Sequence, residues 1–194
     1  EWLRIASPDW ANRMESRWLG RRYSRETPEI LSASSFGKAA RTNPGRFARL
    51  ASRLPVETDG QWFESILEAA RDIEPPPEVG NEWQAASASE IEALLARVEA
   101  RNDSELVIAR ARLVRSRPDE NWSEVVVSQL CEAALAHVDP GAIESLGTET
   151  DADKVGDSLL QTSLNCTRGV AISAIESLMW EHPERCERFL SVAV

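Results

Sequence analysis

The side chains able to do chemistry are few and dispersed. Two histidines, His137 and His182, stand near the C-terminal ends of apolar helical runs. An imidazolium there interacts favourably with the helix dipole, and no ligand spacing links either one to a carboxylate. Three cysteines, Cys131, Cys166 and Cys186, are widely separated and form no Cys-x-x-Cys pair, so no zinc-ribbon pattern is written here. Cys131 lies in an apolar stretch and reads as a buried, inert thiol. The chain contains no Gly-x-x-x-x-Gly-Lys-Ser/Thr phosphate loop, no Gly-x-Ser-x-Gly elbow and no His-Glu-x-x-His pair. The residues therefore assign no catalytic group, no cofactor and no metal.

Charged residues form local patterns. Glu64 and Glu68 are four apart, a spacing at which like charges repel on a helix and face solvent. Glu90 and Glu92 suit the first turn of a helix, where the dipole favours acids. Arg13, Arg17 and Arg21 recur every four residues and share one helical stripe. Arg110, Arg112, Arg115 and Arg117 crowd the end of another helix, where cations offset its dipole. The segment Asn165-Cys166-Thr167-Arg168-Gly169-Val170-Ala171 combines a capping Asn165 with a glycine in the first helical turns. Gly169 costs about 1 kcal/mol relative to alanine inside a helix, which close approach by a neighbouring helix would offset. Arg168 opposes the dipole at a helix start and calls for an acidic partner, for which the loop before it offers candidates.

The elements that must hold these groups are helices throughout. Apolar residues recur at the helical period, with no alternating run and no Asn-Gly or Asp-Gly hairpin turn. The first helix runs over Pro8–Leu19. A second spans Pro28–Arg41, and a third is capped by Asn43 and ends at Pro55. A fourth starts near Asp59 and presents Phe63, Ile66, Leu67 and Ala70. Pro75-Pro76-Pro77 closes that block, because proline cannot continue a helix. Ser87 and Glu90 form a capping box for a fifth. A sixth is capped by the Asn102-Asp103-Ser104 run, and a seventh spans Asn121–His137. Residues 143–157 are acidic and poor in apolar side chains, which reads as a loop. Two more helices cover Thr167–Trp180 and the run from Pro183.

About nine short helices with short connections must stack to bury their faces. The expected fold is all-α, an α-solenoid of antiparallel helix pairs of the HEAT or armadillo kind, ahead of a closed bundle. No strict repeat at a fixed period is evident along the chain. The expected division is a first sub-block over 1–76 and a second over 77–194, continuous with it.

The 194 residues carry 22 Lys and Arg against 32 Asp and Glu, a net charge of -10. That balance argues against a phosphate-tracking surface and hence against nucleic acid. No apolar run reaches the length of a membrane span and no signal-peptide pattern opens the chain. Unpaired cysteines fit a reducing, cytoplasmic compartment. The chain begins at Glu1 and closes on the apolar Phe189-Leu190-Ser191-Val192-Ala193-Val194, and both ends read as cuts through a longer protein.

Two stretches carry a resemblance. The first is Phe36-Gly37-Lys38-Ala39-Ala40 with Asn43-Pro44-Gly45-Arg46-Phe47-Ala48-Arg49-Leu50-Ala51, Leu54-Pro55 and Trp62-Phe63-x-x-Ile66-Leu67. The second is Leu164-Asn165-Cys166-Thr167-Arg168-Gly169-Val170-Ala171-x-x-Ala174-Ile175-x-x-Leu178 followed by Pro183-Glu184. Both resemble the helical-repeat region of very large bacterial ATP-binding proteins similar to NACHT-like signalling ATPases of the STAND class. Several of these act against phage. Thr167 stands where that family more often has a branched apolar residue. The resemblance implies an ATPase module and an effector elsewhere in the parent chain. It makes this region a non-catalytic scaffold or sensor that contacts a protein partner or other domains of its parent. The competing reading is a stand-alone helical enzyme or nucleic-acid-processing domain that uses dispersed arginines and carboxylates. It requires a pocket in which titratable groups converge.

Overall fold

The computed structural model describes residues 28–55, 57–77, 83–101, 103–138, 164–185 and 189. Among them all regular structure is helical, seven α-helices and one 3-10 turn with no strand. The all-α class read from the apolar period is therefore present. The helix expected over Pro8–Leu19 lies outside the described residues, as does most of the chain after Arg185. Where the sequence predicts an α-helix from Pro183, the described residues are a 3-10 turn, Pro183–Arg185, and an α-helical Phe189. The chain divides into two compact units, residues 1–106 and 107–194.

Unit 1 contains α1 (Pro28–Thr42), α2 (Pro44–Ala51), α3 (Gly60–Ala70) and α4 (Ala88–Arg97). Each of the last three begins where its side-chain cap dictates. Asn43 accepts the Arg46 amide at 3.0 Å and Pro44 takes the first helical position, where its missing N–H is no loss. Asp59 accepts the Gln61 amide at 2.9 Å. Ser87 and Glu90 close the capping box that their spacing predicts. α1 packs on α3, and α2 packs on both α3 and α4. Their core centres on Phe36, fully buried. Its ring meets Phe47 edge-on at 5.1 Å and Trp62 at 4.6 Å between centroids, a geometry that aromatic quadrupoles favour.

The proline-rich stretch from Pro75, read from sequence as a boundary, lies inside unit 1. Its continuation is tied to the α1–α2 corner. Trp83 Nε1 donates to the Arg41 carbonyl at 3.1 Å, and the Gly45 amide donates to the Gln84 carbonyl at 3.0 Å. The division between compact units falls after Leu106 rather than near residue 76.

The helix starts of unit 1 share a common offset that no strict repeat marks in the sequence. Pro44 and Ala88 start α2 and α4, 44 residues apart. Gly60 and Ser104 start α3 and α5 (Ser104–Ser116), again 44 apart. The long-range donors follow the same offset. Arg97 Nη2 donates to the Leu54 carbonyl at 2.6 Å across 43 residues. Arg101 Nη1 donates to the Thr58 carbonyl at 2.7 Å across 43. Arg49 pairs with Glu90 across 41. α2 and α4 pack on each other, and the links between their stretches span 41 to 43 residues.

α5 begins at the end of unit 1 and continues into unit 2, which also holds α6 (Glu124–Ala136) and α7 (Thr167–Glu181). α6 starts later than Asn121 because Trp122 is buried and its Nε1 donates to the Arg117 carbonyl at 2.9 Å. That bond holds the chain after α5 as a turn. α6 packs on α7; Val126, Val127 and Leu130 are buried on the first, and Val170, Ala174, Ile175 and Leu178 on the second. Among the described residues no helix is long and apolar enough to cross a membrane.

Candidate functional site

A cleft of about 830 Å³ opens in unit 1, within the size range of ligand sites. α1 contributes Lys38 and Arg41, separated by one helical turn. α3 contributes Glu64, Ser65 and Glu68 on its outward face, and its start contributes Asp59, Gly60 and Gln61. The connection between α4 and α5 supplies Arg101, Asp103 and Glu105. Glu64 and Glu68, expected on a fully solvated face, are half-buried and line this cleft.

Two glycines shape its floor. A Cβ on Gly37 would stand 3.3 Å from Ser65, so α1 approaches α3 closely there. A Cβ on Gly60 would stand 3.2 Å from Arg101 Nη2. The guanidinium thus rests over the first residue of α3. Arg101 is fixed on three sides, by the Thr58 carbonyl, by Asp103 Oδ2 at 2.8 Å from Nε, and by the Phe63 ring at 5.9 Å.

The groups in the cleft are largely committed to the fold. Asp59 caps α3. Glu68 pairs with Arg71 at 2.6 Å. Ser65 Oγ donates to the Gln61 carbonyl at 2.8 Å, and Asp103 neutralises Arg101. The described lining contains no histidine, cysteine or tyrosine. Among the described residues no three His, Cys, Asp or Glu side chains gather in a metal-holding arrangement. Lys38 and Arg41 are exposed and face the carboxylates of α3 across the cleft. Charges of both signs therefore line the cleft.

A second polar node stands where α2 meets α4. Glu90 accepts the Ser87 amide at 2.9 Å and pairs with Arg49. Burial pushes the Glu90 carboxyl upward, but the Ser87 amide, the Arg49 guanidinium and the Ser87 hydroxyl together hold it below the ordinary carboxylate value. Burial alone raises the Cys131 thiol.

The residues singled out from sequence are distributed as follows. Arg13, Arg17 and Arg21 lie outside the described residues. Asn165 is exposed and is not the cap of α7. Cys166 takes that position, and its Sγ accepts the Gly169 amide at 3.3 Å. Arg168 donates from Nε to the Ala134 carbonyl at 3.2 Å. It thereby offsets the C-terminal carbonyls of α6; the acidic loop proposed as its partner lies outside the described residues. Gly169 is half-buried in the first turn of α7. In the arginine cluster of α5, Arg112 and Arg115 are exposed, whereas Arg110 and Arg117 are 3% and 4% exposed. Arg110 donates to Gln129 Oε1 at 2.6 Å, and Arg117 stands 3.5 Å from Glu120. The cluster is thus half structural, which its position at a helix end did not reveal. Sequence reasoning also passed over Lys38, Arg41, Arg101, Asp103 and Glu105 as cleft residues. The 44-residue echo between Asp59 and Asp103 was the available signal.

Comparison with protein-family models, with curated proteins and with solved structures finds no match for this chain.

Proposed function

We propose that this chain is a HEAT-like α-solenoid segment that serves as a non-catalytic scaffold or sensor and contacts a protein partner or other domains of its parent. The observation that carries the reading is the common offset in unit 1. Helix starts recur after 44 residues, and side-chain donors span 41 to 43 residues. HEAT and armadillo units repeat at about 40–47 residues, and stacking of such units creates extended surfaces for partners. The likeness of the Phe36–Leu67 and Leu164–Glu184 stretches to repeat regions of STAND-class ATPases supports a parent whose nucleotide chemistry, and any role in phage defence, lies elsewhere in its chain. Cys131 and Cys166 stand outside any disulfide, which fits the reducing cytoplasm.

One observation favours a second reading, an enzyme or nucleic-acid-processing domain: the cleft gathers carboxylates and cations in one opening. Asp59, Glu68, Arg101 and Asp103 are already committed to a cap and to ion pairs, which is why the scaffold reading ranks first. Titration calorimetry and turnover assays with ATP and with single-stranded DNA separate the two. The scaffold reading expects no heat and no turnover. Binding or hydrolysis that is lost in Lys38→Ala, Arg41→Ala or Glu64→Gln would overturn it.

A further inference from the structure

Among the described residues, large apolar side chains that are well exposed are concentrated in one unit. Six of the seven, Val125, Leu135, Val138, Leu164, Ile172 and Trp180, belong to unit 2. They lie on or beside α6 and α7. The bond from Arg168 to the Ala134 carbonyl sets the start of α7 against the end of α6. Leu135, Val138 and Leu164 are thereby drawn to one end of the pair, and Ile172 stands one turn beyond Arg168. Trp180, 79% exposed, follows about two turns later, two i,i+4 steps along α7 through Glu176. Scattered apolar side chains need no explanation, but a concentration across two packed helices marks an interaction face.

The charges on these helices select the occupant. The exposed ionised side chains of α6 and α7 are Glu124, Glu132, Glu176 and Glu181 against Arg168 alone. Glu176 sits between Ile172 and Trp180 on their ridge, and Glu132 is one turn from Leu135. Arg168 is turned onto the carbonyl end of α6. A second copy of this chain would bring the same acidic rim and a net charge of -10. Like charges opposed across an interface disfavour it. An anionic membrane is disfavoured for the same reason. A helix with an apolar ridge and basic flanks meets both requirements, the usual arrangement when an amphipathic helix lies in a groove.

We infer that the outward face of α6 and α7 binds an amphipathic helix of a partner protein, with an apolar ridge against Leu135, Ile172 and Trp180 and Lys or Arg flanks against Glu132 and Glu176. This inference rests on the scaffold reading and adds the chemistry of the partner.

The test uses the full 194-residue chain and two labelled synthetic helices. Both carry leucines at helical spacing; one has lysine flanks and the other glutamate flanks. Fluorescence anisotropy is expected to show binding of the lysine helix alone, weakening as salt is added. The Ile172→Ser/Trp180→Ser double variant should lose about tenfold or more in affinity, as removal of an aromatic anchor does. The exposed Ile73→Ser change in unit 1 should leave affinity unaltered. Glu132→Lys/Glu176→Lys should shift preference to the glutamate helix. Equal binding of both helices, absence of binding, or unaltered affinity in the serine double variant would overturn the inference. So would sedimentation showing concentration-dependent dimers that the serine double variant abolishes, since the occupant would then be a second copy. These outcomes leave the nucleotide assays untouched, so failure here and failure of the scaffold reading are separate results.

Discussion

Replacing Gly45 by alanine sets two opposing effects in a single methyl group. Alanine is the better helix former by about 1 kcal/mol, and by propensity alone the change would stabilise α2. The surroundings oppose it. Gly45 is buried, and a Cβ there would stand 2.9 Å from the Ala85 carbonyl oxygen and 3.3 Å from Glu90 Oε2. The nearer contact is backbone, so no side-chain rotation relieves it. The segment at Ala85 must retreat by several tenths of an ångström. Its neighbour Gln84 accepts the Gly45 amide at 3.0 Å, and Glu90 holds the cap of α4, so the retreat loosens both. Overpacking costs about 1–3 kcal/mol, and a weakened hydrogen bond about 0.5–1.5 kcal/mol. Against the propensity gain, Gly45→Ala should destabilise by roughly 1–2 kcal/mol, a fall of about 3–6 °C in Tm for a chain of this size. Gly37→Ala is the internal comparison. Its Cβ would meet only the Ser65 side chain at 3.3 Å, which can shift slightly, so propensity and contact should nearly cancel. Thermal melts of the two variants beside the parent, with hydrogen exchange at residues 83–87, provide the readout. A Gly45→Ala protein as stable as the parent, with unaltered exchange, would refute the close docking of the 83–87 segment on α2.

Three further outcomes are expected. Asn43→Ala and Asp59→Ala each remove a side-chain cap and should cost about 1 kcal/mol apiece in denaturant titrations; Asp59→Asn, which keeps an acceptor, should recover most of it. Glu90→Gln tests the node between α2 and α4. A carboxyl held below its ordinary value stabilises the fold above that value, and the contribution disappears as pH falls through the lowered one. The parent should therefore exceed the variant in stability at pH 7, and the gap should close below about pH 4, the ordinary range of a glutamate. Trp122→Phe keeps a buried ring but removes the indole donor to the Arg117 carbonyl, which the Glu120 amide still reaches at 3.3 Å; a loss of about 0.5–1.5 kcal/mol, that of one hydrogen bond, is expected from equilibrium unfolding of the variant.

Much of the helix pattern was legible because its signals are local. Asn43-Pro44, Asp59 and the Ser87–Glu90 box each satisfy orphan amides within a few residues, so the sequence displays them directly. The misreadings arose where a distant group decides. Asn165 has the composition of a cap, yet Cys166 occupies the position, because a weak sulfur acceptor suffices once Cys166 and Thr167 are buried. Trp122 belongs by periodicity to α6, but its indole N–H finds a carbonyl five residues back, and α6 starts after it. Arg110 and Arg117 look like solvated cations at a helix end; burial on the inward side of α5 requires contacts that no local window contains.

The same division explains the cleft and the register together. Asp59 and Asp103 both precede a helix start, and Gly60 and Ser104 open those helices. Nothing between residues 59 and 103 says that the two starts are neighbours. What says so is Arg101, whose guanidinium spans from the Thr58 carbonyl to Asp103 over a glycine that leaves it room. Arg97 and Leu54 form an equivalent link one turn earlier. A pair of arginines reaching back by the same 43 residues fixes a translation between two stretches of chain. Such a link needs only a donor and a carbonyl to meet, and every residue type supplies a carbonyl. Repetition of that kind is invisible to a search for identical residues. It emerges from asking which half-buried arginines reach back along the chain, and which carbonyls between earlier helices they satisfy.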